Sequence, residues 1–345
     1  MKHSVIFLFL AVFLCTAIVF SLLIGAVSIS WSDLSAIVGA FIHQQPISDS
    51  LQLSQYVITE LRLPRTFTAL TVGLGLAVAG TCTQGLFRNP LADPSLIGVS
   101  SGSAFGAIFV IVIGPLLFQQ FDQIGHLILP VFAFTGGLLA TLIAFQIASS
   151  RGHTDTALLL LAGVAINAIC FAGIGFLSYL ADDNQLRDLT FWNLGSVAKT
   201  TWPQIAVAAL FIIPASVGLF LFQRALNCLL MGEAVAGHIG YNVIFIKRMI
   251  IILTSLIVGC SVAISGVIGF LGLVVPHMMR ILVGSDHRLL IPASMIFGAG
   301  LLLIADIISR IIVSPAELPI GLIMSLLGGP FFLGLLLRHK HQGKF

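Results

Sequence analysis

The residues of this chain that could do chemistry are few, and their spacing argues against most kinds of it. No Asp, Glu, Lys, Arg or His lies near the centre of any long apolar run; the polar candidates inside such runs are the amides Gln84, Gln146 and Asn167. A carrier driven by protons or sodium keeps ionisable groups at mid-membrane depth, so that coupling is disfavoured. An enzyme needs a clustered catalytic set, and none is expected here. Nine histidines are present, mostly at the ends of apolar runs; His277 is the most interior and reads as a hydrogen-bonding residue at a helix end. The cysteines Cys15, Cys82, Cys170, Cys228 and Cys260 are odd in number and scattered. Their spacing fits neither a metal site nor a disulfide framework, so they read as small packing residues.

The elements that carry these residues follow from composition. Of the 345 residues, 58% are hydrophobic and only 8% are charged. A soluble chain carries roughly 25% charged residues, so most of this surface must face something other than water. Lipid cannot satisfy backbone N–H and C=O groups, which leaves helices or a closed barrel. The apolar runs are uninterrupted and close to the ~20 residues a spanning helix needs, without the alternation of a barrel strand. The predicted fold is therefore an all-α membrane protein with ten transmembrane helices, at about 5–29, 66–86, 96–117, 126–148, 157–180, 203–223, 248–265, 267–283, 289–312 and 318–337. Lys2 before an apolar stretch imitates a secretory leader, but the run is long and lacks an evident cleavage site, so a retained first helix is expected.

Charge gives the helices a direction. With both termini in the cytoplasm, Lys2, Arg88, Arg151, Arg224, Lys247, Arg248, Arg280, Arg288, Arg338, Lys340 and Lys344 fall inside, while Arg62, Arg65, Arg187, Lys199 and Arg310 fall outside, 11 against 5. Acids, among them Asp122, Asp306 and Glu317, lean to the outer ends. A repeat agrees: Val72-Gly73-x-x-x-Ala77-x-x-Gly80 recurs 186 residues later as Val258-Gly259-x-x-x-Ala263-x-x-Gly266. Five spans per half make the second copy inverted, as in many transport proteins. The chain is expected to be one permease domain, 1–345, with halves of about 1–200 and 201–345. Gly98, Gly102 and Gly106 share a helix face, which reads as close helix packing.

The chain lacks G-x-x-x-x-G-K-[ST], so it does not cradle ATP phosphates, and an ATP-driven process needs a separate ATPase subunit. The longest inner connection, Arg224 to Arg248, contains Met231-Gly232-Glu233-Ala234-Val235-Ala236-Gly237-His238-Ile239-Gly240. Small residues around one acid suit a short helix seated in a partner's groove, with Gly232, Glu233, Ala236 and Gly240 as its candidate contacts.

Leu61-Arg62-Leu63-Pro64-Arg65, then Gly80-x-x-x-Gln84-x-x-x-Arg88-Asn89-Pro90-Leu91-Ala92-Asp93-Pro94, Leu161-Ala162-Gly163, Gly269-Phe270-Leu271-Gly272-Leu273-Val274-Val275-Pro276-His277-x-x-Arg280 and Pro319-x-Gly321 follow one another along the chain. Together they resemble the FecCD permeases, which import ferric siderophores, haem and cobalamin. The resemblance runs from about residue 55 to the C-terminus. It implies a homodimer in the bacterial inner membrane, two cytoplasmic ATP-hydrolysing subunits and a periplasmic binding protein, with membrane lipid and no nucleic acid as further surroundings. It assigns Gly232–Gly240 to coupling with the ATPase, and Arg62, Arg65 and Arg310 to pairing with carboxylates of the binding protein. Thr154 and Thr156 lie where such proteins have a cytoplasmic gate. No resident cofactor or metal is implied. The outer segment Gln185-Leu186-Arg187-Asp188-Leu189-Thr190-Phe191-Trp192, followed by Gly195-Ser196, resembles haem permeases in particular, and places Arg187, Phe191 and Trp192 at the outer mouth with haem as the transported substrate. Ferric siderophores and cobalamin remain the alternatives.

Overall fold

A computed structural model describes residues 2–44, 46–117, 125–150, 153–198, 200–314 and 316–341. Arg151, Asp122, Lys199 and Lys344, which entered the charge count, lie outside them. The regular structure of the described residues is helical apart from a short antiparallel bridge, Ser149–Ser150 with His153–Thr154. The helices in chain order are α1 (Lys2–Leu23), α2 (Trp31–Ile42), α3 (Gln52–Tyr56), α4 (Leu63–Phe87), α5 (Val99–Leu117), α6 (Gly125–Ala148), α7 (Thr156–Leu180) and α8 (Asp183–Asn193). They continue as α9 (Trp202–Leu221), α10 (Gln223–Leu230), α11 (Glu233–His238), α12 (Val243–Ser265), α13 (Leu271–Val283), α14 (His287–Ile311) and α15 (Ile320–His341).

Among the described residues, eight helical stretches are long and apolar enough to cross a membrane, and the shorter Leu271–Val283 and Ile320–Gly334 bring the expected number to ten. Two boundaries differ from the sequence reading. The first span ends at Leu23 rather than at residue 29, and the chain then enters α2, which the sequence reading missed. The second span begins far earlier than residue 66: a helical stretch from Asp49 continues through a π-turn, Val57–Arg62, straight into α4.

Small residues set the packing. α4 is the most enclosed of the spanning helices, and α12 lies against it. α4 runs away from the end that carries Arg62 and α12 runs toward it, the opposed directions an inverted repeat requires. Where α4 crosses α13, a Cβ on Gly80 would sit 1.8 Å from the Gly272 carbonyl oxygen. Gly80→Ala is therefore expected to push the two backbones apart. The expected cost is about 1–3 kcal/mol or more, read as a lower melting temperature in detergent. Gly39→Ala, where a Cβ meets nothing within 4 Å, should stay within about 0.5 kcal/mol. The glycines of α5 fit the packing expectation, since a Cβ on Gly102 would lie 2.5 Å from the Gly136 carbonyl oxygen of α6.

The Arg88–Pro94 run is a turn built from side-chain caps. Arg88 closes α4 in the left-handed region at φ 51°. Asn89 Oδ1 accepts from Leu91 N at 2.9 Å and Asp93 Oδ1 from Ser95 N at 2.8 Å, which leads the chain through Pro94–Ile97 into α5. Asn and Asp favour such local bonds because their short side chains reach their own backbone two residues on.

Candidate functional site: a buried arginine cluster and an opposed short helix

The π-turn and the first turn of α4 carry Arg62 and Arg65, and the last turns of α14 carry Asp306 and Arg310. All four are buried. Arg65 Nε donates to Asp306 Oδ1 at 2.8 Å, and its Nη1 donates to both Glu317 oxygens at 2.8 Å. Arg310 Nη2 pairs with Asp306 Oδ2, and its Nη1 donates to the Ser21 carbonyl at 2.9 Å. Arg62 donates to the carbonyl of Leu22 in the last turn of α1 and to that of Val27 in the segment after it. Gly25 makes room for it, since a Cβ there would lie 2.9 Å from Arg62 Nη2.

The sequence reading set Arg62 and Arg65 before the second span, begun at residue 66, and Arg310 near the outer end of the span 289–312. The structure corrects this: they sit within helices and are held from inside the protein. Three guanidiniums face two carboxylates, which leaves one positive charge in excess. A cavity of about 220 Å³ opens among Arg62, Arg65, Arg310, Glu317, Gly25 and Val27. Glu317 is the most accessible of its charged members, its side chain 44% exposed.

The segment after α8 is tied into the same end of the bundle. Gly195 at φ 72° lets Ser196 N reach the Ser265 carbonyl at 2.7 Å, while the Gly195 carbonyl accepts from Ile320 N at 3.1 Å. A Cβ on Gly321 would lie 2.2 Å from the Leu194 carbonyl oxygen, which accounts for the Pro-x-Gly motif that opens α15. On α8 itself, Arg187 is exposed and Phe191 is 55% exposed, whereas Trp192 packs partly against the core. Asp182 and Gln185 form a capping box at its start.

At the opposite end, α10 and α11 follow the last turn of α9. Gly232 (φ 118°) and Gly240 (φ 99°) bracket α11 in conformations closed to most side chains. Ala236 is fully buried, and Glu233 pairs with the buried Lys247 of α12 at 2.9 Å. Met231, Val235 and Ile239 remain exposed around α11. On α10, Asn227 Nδ2 donates to Asp286 Oδ1 at 2.6 Å, and Asn227 Oδ1 accepts from His287 N at 2.9 Å. Asp286 caps α14, and the Arg288 N–H it accepts holds its carboxyl below the usual range. α10 is thus fastened to the first turn of α14, whose last turns carry Asp306 and Arg310.

The interior amides act as struts. Gln84 accepts from Arg280 Nη2 at 2.9 Å, and Asn167 accepts from Ser101 Oγ. Gln146, read from the sequence as buried, is exposed, and His277 lies within α13 edge-on to Phe331 rather than at its end. Thr154 ends the small bridge and Thr156 begins α7 after the Asp155 cap, but the Thr154 side chain lies outside the described ones. Among the described residues no group of His, Cys, Asp or Glu could hold a metal ion. Sequence reasoning missed Asp306 as the residue that joins two arginines, because its partner Arg65 is 241 positions away.

A profile of the FecCD transport family matches residues 12–338. The hemin transport system permease protein HmuU of Yersinia pestis is 46% identical over 291 residues, covering 83% of this chain and 85% of that protein. The vitamin B12 import system permease protein BtuC of Klebsiella pneumoniae subsp. pneumoniae is 40% identical over 289 residues, covering 84% and 85%. Among solved structures, an inward-facing conformation of a metal-chelate type ABC transporter superposes with a TM-score of 0.83 at 33% identity, covering 97% of this chain and 99% of the other. PsaBC from Streptococcus pneumoniae in complex with Fab, at 17% identity and a TM-score of 0.52 over 87% of this chain and 94% of that one, shares the fold alone.

Proposed function

This chain belongs to the FecCD transport family, and from that premise we propose that it is the membrane-spanning permease subunit of a binding-protein-dependent ABC importer of haem. The observation that carries the reading is the pairing of two opposed devices by one helix. α14 is fastened at its start to α10, beside α11, and ends in the Asp306–Arg310 pair of the arginine cavity. A partner pressing on α11 and a partner seated on the cavity therefore meet the same helix.

In this reading the arginine end faces the periplasm and the α11 end faces the cytoplasm, with both termini cytoplasmic in a bacterial inner membrane. The binding protein offers a carboxylate to the cavity, where the excess guanidinium charge favours it through charge-assisted hydrogen bonds. Arg65 is held by the half-exposed Glu317 until that exchange. Gly232, Glu233, Ala236 and Gly240 shape the contact with the ATP-hydrolysing subunit, which carries the nucleotide chemistry this chain lacks. Arg187, Phe191 and Trp192 line the outer mouth, Thr154 and Thr156 the cytoplasmic gate, and a second copy of the chain completes the pathway.

The choice of haem is supported by the Yersinia relative and by the Gln185–Trp192 segment; the Klebsiella relative speaks for cobalamin as the second reading. The test is ATP hydrolysis by the reconstituted permease, ATPase and binding protein in proteoliposomes. Haem-loaded binding protein is expected to stimulate hydrolysis above the level set by empty binding protein. Stimulation by cobalamin-loaded but not haem-loaded protein would move the substrate to the second reading.

A further inference from the structure

Lys247 stands where a lysine is costly. It lies in the second turn of the spanning helix α12, with its side chain only 5% exposed. An ionisable group so placed needs a partner and marks a functional position. Its Nζ donates to Glu233 Oε1 at 2.9 Å. Glu233 opens α11 and is 42% exposed, so the pair is held from the buried side. The ammonium is strongly destabilised in the interior without a counter-charge, and this draws α11 toward α12.

Packing alone does not fix α11 against that helix. Gly232 and Gly240 bracket α11 with positive φ, and Ala236 seats its middle in the core. Toward the start of α12, a cavity of about 510 Å³ opens among Glu233, Gly237, Tyr241 and Lys247. Across that cavity the ion pair, rather than apolar contact, joins the two helices.

α12 continues to the other end of the bundle. From Lys247 to Ser265 it rises about 27 Å, enclosed by α4, α5, α6 and α9. It has no proline, whereas α14, which also connects the two ends, has Pro292 inside it; proline is a common cause of a kink. At the outer end two backbone contacts take over. The Ser265 carbonyl accepts from Ser196 N at 2.7 Å, and the Trp192 carbonyl lies where a Cβ on Gly266 would be. α12 therefore meets α11 at one end and the last turn of α8 at the other.

We propose that Lys247 is a positioning residue for transport: through Glu233 it ties α11 to α12, and α12 carries a displacement of α11 to the end of α8 beside Trp192. The proposal rests on the reading of α11 as the ATPase contact. It separates two routes, since α14 runs from α10 to the arginine cavity and α12 from α11 to the mouth. Loss of Lys247 should silence the mouth and leave the seat of the binding protein as it is.

The test places Ser196→Cys in the wild-type permease and in Lys247→Met, which keeps the length of the side chain and removes its need for a partner. Each is assembled in nanodiscs with the ATPase and the binding protein. Ser196 is exposed, and the rate at which its cysteine takes a hydrophilic maleimide, corrected for permease without that cysteine, reports on the segment. The rate is expected to differ between the nucleotide-free and vanadate-trapped complexes with Lys247 and to be equal in the two with Lys247→Met. In proteoliposomes, haem taken up per ATP hydrolysed should fall roughly three- to thirtyfold in Lys247→Met, with binding-protein association kept. A mere loss of folded protein would lower uptake and hydrolysis together and leave that ratio unchanged. The reversed pair, Glu233→Lys with Lys247→Glu, should restore both the ratio and the labelling response. Nucleotide-dependent labelling that survives Lys247→Met, or a reversed pair that restores neither, would overturn the proposal. The labelling needs no particular cargo, so a wrong substrate leaves it readable. A wild-type complex that hydrolyses no ATP would instead bring down the importer reading, and the role of Lys247 with it.

Discussion

Asp306→Asn is expected to lower the stability of the permease by about 3–5 kcal/mol, the cost of breaking a buried ion pair from one side. Asp306 is fully buried and its two oxygens serve two arginines, Arg65 and Arg310. An amide in its place offers one acceptor oxygen instead of two, carries no charge and turns its NH₂ toward a guanidinium. Arg65 keeps Glu317, but Arg310 keeps only backbone carbonyls and Ser21. The thermal midpoint in detergent should fall by many degrees. A triple variant, Arg65→Met, Asp306→Leu and Arg310→Met, removes the charges together. Replacing a buried ionic group with apolar side chains of similar size is often neutral or stabilising, so this variant should recover most of the lost stability while losing association with the binding protein. Recovery of stability with association unchanged would return the cluster to a purely structural role. An unaltered midpoint in Asp306→Asn would contradict the burial itself.

The second large effect is expected at the other end. Gly232 has φ 118° and ψ 149°, a region open essentially to glycine alone, and a side chain there costs about 1–3 kcal/mol. No atom lies within 4 Å of where its Cβ would be, so Gly232→Val is a backbone effect without a clash. The strain falls on the turn that aims α11. It corresponds to roughly ten- to hundredfold in the population of the docked orientation. Because α11 lies at the edge of the bundle, the thermal midpoint should barely move. Haem uptake and substrate-stimulated ATPase should fall together by about tenfold or more, while binding-protein association is kept. Wild-type coupling in Gly232→Val would remove α11 as the point where the ATPase acts.

The spanning helices were legible because each is an uninterrupted apolar run, and backbone in lipid has few choices. The turns around α11 were legible because its glycines are spaced for them, and Gly232 and Gly240 do adopt positive φ. The arginines were legible as a group but not in their surroundings. The sequence reading began the second span at residue 66, yet proline is tolerated in the first turn of a helix, and the π-turn before Pro64 keeps the helix continuous. That continuity turns Arg62 and Arg65 inward. Their partners come from α1 and α14, remote in sequence, which no local spacing reveals. α2 was hidden for a different reason: its apolar residues adjoin those of the first span, and only the bend around Gly25 separates them. Gln146 was misread because an amide within an apolar run looks buried whichever way the helix turns.

The measurement that tests the account most directly is ATP-dependent accumulation in proteoliposomes containing this permease, its ATPase and its binding protein, with haem and cobalamin offered separately. Haem is predicted to accumulate only when ATP and binding protein are both supplied, and cobalamin to remain outside. Cobalamin accumulation without haem would contradict the substrate, and haem accumulation without ATP would contradict the importer mechanism.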